Sequence, residues 1–135
     1  MAQRRMFSLK VVDTDEFLDM PPTTQNLYFH LGMRTDDEGF VASPKKIMKI
    51  VNSANDDMKV LVAKKFVIPF KSGICVITHW NIHNSIQSDR FSETRYLEEK
   101  AELDKNNGKK IWQVGIYSQE SFMRYKNPTQ SEKLF

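Results

Sequence analysis

The residues with the clearest chemical pattern in this chain are cationic. Lys45, Lys46 and Lys49 come first, then Asn55, Lys59 and Lys64, then Lys71 and Ser72. Between Ser43 and Gly73 there are seven lysines against only Asp56 and Asp57, whereas the rest of the chain carries thirteen basic and fifteen acidic residues. Positive charge gathered on one stretch suits a phosphodiester backbone. Lys45, Lys46, Lys49 and Lys71 are the candidates for phosphate contact, and Ser72 sits beside Lys71. Lys59 and Lys64 are the candidates for the groove side, and Val60 and Ala63 between them suit thymine methyl groups. After Asn55 no Arg, Asn or Gln is expected on that outer face, so moderate sequence selectivity is expected. With about five lysines on phosphate, affinity should fall with salt at a log–log slope of roughly −4 to −5.

Other chemistries are less well served. His79 and His83 are four residues apart, but a metal site needs a third ligand, and Asp89 is the nearest candidate. The expected alternative is structural: Trp80 and Ile82 pack under a hairpin while the neighbouring polar groups satisfy backbone atoms. Asp36, Asp37 and Glu38 lack the alternating ligands of a calcium loop and read as a solvated turn. No phosphate-cradling glycine loop and no Gly-x-Ser-x-Gly elbow occurs. Catalysis has no support, and neither cofactor nor metal is expected.

The elements that must position the lysines follow from periodicity and punctuation. Ser43-Pro44 opens a helix, Ser53-Ala54-Asn55 makes a turn, and a second helix is expected over 56–65. Ile47, Ile50 and Val51 are the expected buried stripe of the first, and Met58, Leu61 and Val62 that of the second. Strands are expected over 66–70 and 74–80, joined by Lys71-Ser72-Gly73, with Gly73 in the left-handed position. Pro69 cannot donate to a ladder, which places its strand at an edge. Upstream, Asp13-Thr14-Asp15 offers a cap for a short helix, Thr23–Arg34 reads as a helix, and Phe40-Val41 as a short strand. Downstream, a thin helical pattern runs from near Glu93 to Leu103. The predicted fold class is α+β and mostly helical: a winged helix-turn-helix with a C-terminal helical extension. Residues 1–104 are expected to form the domain, and 105–135 a linker and aromatic tail that either docks on it or begins a further region.

With 135 residues, 40% of them apolar, the chain can bury a core. No window approaches the ~18 apolar residues of a membrane span, and the N-terminus lacks the apolar run of a signal peptide. Cys75, the one cysteine, excludes an intrachain disulfide and is expected as a small buried hydrophobe. The expected setting is the cytoplasm.

Several runs resemble a known family. These are Arg4-Arg5-Met6-Phe7-Ser8-Leu9-Lys10, Leu27-Tyr28-Phe29-His30-Leu31, Asp36-Asp37-Glu38-Gly39-Phe40-Val41, and His79-Trp80-Asn81-Ile82-His83-Asn84 with Asp89-Arg90. Together they resemble the N-terminal domain of bacteriophage replisome organisers, replication initiators related to the DnaD primosome proteins, over roughly residues 3–103. The resemblance implies a winged helix that binds double-stranded origin repeats in the bacterial host cell. It also implies recruitment of a host helicase loader or primosome proteins, and self-association is a further expectation. Family members usually continue into another domain. A transcription regulator and a protein-interaction module are the alternatives on the same fold.

Overall fold

Leu27, Tyr28 and Leu31 give α3 (Pro22–Met33) one continuous buried face, and this helix is the spine of the structure. The computed structural model describes residues 5–84, 91–106 and 111–114. Two short helices lead into α3. Ser8 caps α1 (Leu9–Val12), and Thr14 caps α2 (Asp15–Leu18) by accepting from the Phe17 amide. Pro22 sits in the first turn of α3, where its missing N–H costs nothing.

Three strands form an antiparallel sheet in the order β1-β3-β2: β1 (Phe40–Val41), β2 (Val67–Pro69) and β3 (Cys75–Ile77). Val41 pairs with Cys75 on one side of β3, and Ile68 with Val76 on the other. Pro69 is therefore on an edge strand, as its missing donor requires. Between β1 and β2 lie α4 (Pro44–Ile50) and α5 (Asn55–Ala63), and α3 packs against both. The described residues thus form an α+β fold with a small three-stranded sheet.

Several boundaries differ from expectation. Helix α5 begins at Asn55, so this residue opens the helix and does not close the turn. It ends at Ala63, because Lys65 adopts a left-handed φ of 66°. The Phe66 amide then donates to Leu61 O at 2.9 Å and that of Lys65 to Val62 O at 3.0 Å, the paired bonds of a Schellman closure. Helix α4 closes in the same way through Asn52 (φ 55°), with Ser53 N donating to Met48 O at 2.9 Å. Its buried residues are Pro44, Ile47 and Met48, while Ile50 is 53% exposed. The strand expected to reach Trp80 stops at Ile77, and Trp80 begins α6 (Trp80–His83) so that its indole can turn inward.

The stretch expected to be a linker starts with a strand. Helix α7 (Leu97–Ala101) is followed by β4 (Leu103–Asn106), which pairs with β5 (Ile111–Val114). Trp112 is 5% exposed; its amide donates to Thr78 O at 2.8 Å and its indole N–H to Glu38 O at 3.0 Å. The rest of the aromatic tail, 115–135, lies outside the described residues.

Asp36, Asp37 and Glu38 do not form a solvated turn. Asp37 and Glu38 are 3% and 8% exposed. Asp36 Oδ1 accepts from the amides of Glu38 and Phe40, and Asp36 Oδ2 from the Thr94 hydroxyl. Asp37 pairs with Arg5 at 3.2 Å, and its other oxygen accepts from Ser92 N at 2.9 Å. Glu38 pairs with Lys100 at 2.8 Å and accepts from Thr94 N, also at 2.8 Å. The three acids therefore fasten both the N-terminal arm and residues 92–100 to the sheet.

Candidate nucleic-acid interface

The lysines expected to meet phosphate are carried by α4, α5 and the β2–β3 hairpin. Lys45, Lys46 and Lys49 are exposed on α4. Lys45 and Lys49, one helical turn apart, face the same way. With Met48, Asn52, Ser53 and Asn55 they line a cleft of about 250 Å³ at the junction of α4 and α5. On α5 the exposed Asn55, half-buried Lys59 and exposed Ala63 follow one another at four-residue spacing and form a single ridge. None of Lys45, Lys46, Lys49 and Lys59 takes part in the ion pairs formed among the described residues. These cations remain available to an external anion.

Other expected members stand apart. Lys64 lies five residues beyond Lys59, roughly 140° around the helix axis, and its ammonium donates to Glu16 O of α2 at 3.3 Å. Val60, expected outward, is half-buried and packs against the core. At the hairpin tip Lys71, Ser72 and Gly73 are exposed, and Gly73 has a φ of +94° as the turn requires. The Ser72 hydroxyl, however, donates to Glu99 Oε2 of α7 at 2.7 Å. An acidic helix absent from the sequence-based picture of the site therefore touches the tip.

Asp57, in the first turn of α5, is 7% exposed. Its Oδ1 accepts from the hydroxyls of Thr23 (2.9 Å) and Thr24 (2.7 Å), and its Oδ2 from Ala54 N (3.0 Å). This carboxylate locks α5 against the start of α3 and fixes the angle at which the Asn55–Lys59–Ala63 ridge is presented.

In the His-Trp-Asn-Ile-His-Asn run, Trp80, Ile82, His83 and Asn84 pack or bond within the fold, whereas buried His79 Nδ1 and Asn81 Nδ2 have no hydrogen-bond partner among the described residues. The Trp80 indole donates to Asp37 O at 2.9 Å, and Ile82 is half-buried against the core. Asn84 pairs with both the amide and the carbonyl of Met6. His83 Nδ1 accepts from Ser8 N at 2.7 Å, which leaves the ring proton on Nε2, 2.6 Å from the Tyr28 hydroxyl. Among the described residues no three His, Cys, Asp or Glu side chains converge on a metal position. Asp89 and Arg90 lie outside those residues.

Burial, and then the charge of neighbouring His79, lowers the His83 pKa to about 4, and burial lowers that of His79 as well. In the unfolded chain a histidine titrates near 6.5. The stabilisation is therefore complete above pH 6.5 and is lost as pH falls toward 4, because the unfolded state then binds more protons. The expected loss from His83 is about 3 kcal/mol across that window. Urea denaturation at pH 7, 5.5 and 4.5 measures it. His83→Gln should lower stability at pH 7 yet flatten most of the acid dependence; an unchanged pH slope in the variant would refute this assignment.

No helix among the described residues is long and apolar enough to cross a membrane. Comparison with protein-family models, curated proteins and solved structures finds no match for this chain.

Proposed function

We propose that this chain is a non-enzymatic DNA-binding protein of winged-helix type that acts as a phage replication initiator or replisome organiser in the bacterial cytoplasm. The observation that carries the DNA reading is the set of lysines on α4 and α5 around one turn that form no ion pair among the described residues, with Asn55 and Ala63 on the same surface. The element order α3-β1-α4-α5-β2-β3 and the sheet order β1-β3-β2 support the winged-helix reading. The replication role, origin repeats as target and a host helicase loader as partner rest on the sequence resemblance. Lys45, Lys46 and Lys49 serve phosphates, Lys59 the groove edge, and the ridge offers few bidentate base contacts.

The test is an electrophoretic shift on an origin fragment against an unrelated fragment at matched salt. Binding is expected at low salt. Joint substitution of Lys45, Lys46, Lys49 and Lys59 by Gln should reduce the salt slope by roughly 3 to 4. No shift on either fragment at low salt would overturn the DNA reading.

The Ser72–Glu99 contact favours a second reading, a protein-assembly module, because it places a carboxylate at the hairpin tip where a phosphate would otherwise lie. Pull-down of primosome proteins that survives the four-lysine substitution would support it.

A further inference from the structure

The cleft between α4 and α5 has features that a merely solvated basic surface lacks. Its wall includes Lys45 and Lys49 on one face of α4, each without an ion-pair partner among the described residues. Adjacent like charges one helical turn apart repel each other, and a bound anion relieves that repulsion. The opposite wall is Asn55, the first residue of α5, where helical N–H groups lack intrahelical acceptors. Ser53 lies between them. Its hydroxyl oxygen exposes less than 1 Å² and has no hydrogen-bond partner among the described residues, although buried hydroxyls are normally satisfied. Ser53 is among the residues that line the cleft. The left-handed Asn52 closes the floor. Of the two acids in the first turn of α5, Asp57 is occupied by Thr23, Thr24 and Ala54 N, whereas Asp56 is exposed beside Asn55.

We propose that this cleft is a seat for one phosphate group, held by Lys45, Lys49, Asn55 and the Ser53 hydroxyl. The seat rests on the DNA reading only for the source of that phosphate, a backbone phosphodiester. The chemistry is equally that of free inorganic phosphate, which serves as the probe.

The test follows amide resonances of the ¹⁵N-labelled chain during titration with inorganic phosphate, ionic strength being held with sodium chloride. Saturable shifts are expected at Asn52, Ser53 and Asn55. Ser53→Ala should weaken the apparent affinity several-fold, and Lys45→Gln with Lys49→Gln should abolish saturation. Lys10→Gln, the same charge change on α1, should leave it intact. Linear shifts, or equal weakening by Lys10→Gln, overturn the seat in favour of diffuse surface charge; the dispersion of each variant's spectrum reports that it is folded. A short DNA duplex supplies the second arm. If phosphate saturates but the duplex moves nothing, the seat stands and the DNA reading fails. If the duplex binds while phosphate gives no saturable shift, the seat fails and the DNA reading stands.

Discussion

Replacing Asp37 by alanine is expected to destabilise the protein by about 3–5 kcal/mol, the cost of orphaning one member of a buried ion pair. The Asp37 side chain is 0% and the Arg5 side chain 5% exposed, with Nη2 3.2 Å from Oδ1. Arg5 also donates to Thr35 Oγ1 and Thr35 O, and its guanidinium lies 5.4 Å from the Trp80 ring centroid. Without the carboxylate this cation stays in a site that water does not reach. The Ser92 amide loses its acceptor in the same step. Replacing both partners together, Arg5→Met with Asp37→Leu, should recover much of the loss, because the desolvated charge goes with its partner. Urea unfolding of the two single variants and the double variant measures the coupling. A single-variant cost below about 1 kcal/mol would show that the pair is solvated.

Gly39→Ala is the second large effect. Gly39 has a φ of +94°, and an added Cβ would lie 2.6 Å from Trp80 Cγ and 2.7 Å from Trp80 Cβ. Trp80 cannot retreat, being 1% exposed and tethered through its indole to Asp37 O. Gly39 cannot shift easily either, since its carbonyl accepts from Ile77 N at 2.9 Å and so extends the β1–β3 pairing. The left-handed backbone costs about 1–2 kcal/mol and the overpacking about 1–3 more. Gly73→Ala is the internal comparison: it shares the φ of +94° but has nothing within 4 Å of the added atom. It should cost only the backbone share, about 1–2 kcal/mol. Thermal denaturation of the two variants side by side decides it, and equal losses would contradict the packing argument.

Local rules made the helix pair and its hairpin legible. Pro44 at a helix start, Gly73 at a tight turn and Pro69 on an edge each follow from one residue's own backbone chemistry. The stops at Asn52 and Lys65 were harder to see, because closure was achieved without glycine and a lysine took the left-handed position. Asp36–Glu38 was misread for a related reason. Acids in a polar turn signal solvent unless their partners are known, and the long-range partners of these carboxylates are 32 to 62 residues away. The lysine set was visible in the sequence, but the cleft that joins two of its members was not, since it depends on how the α4–α5 turn bends. The Glu99 contact at the hairpin tip was hidden in a helical pattern that gave no hint of where α7 would lie.

The tie between the N-terminal arm and α6 constrains how the protein is made. Met6 and Ser8 emerge from the ribosome long before Asn84 and His83, the residues that receive them. Until that much later stretch is synthesised, Phe7 has no His83 ring to pack against. Contacts of such sequence separation are slow to close because the intervening loop must first be ordered. Vectorial synthesis therefore delays the seating of the Met6 and Ser8 backbone until residues 83 and 84 have been made.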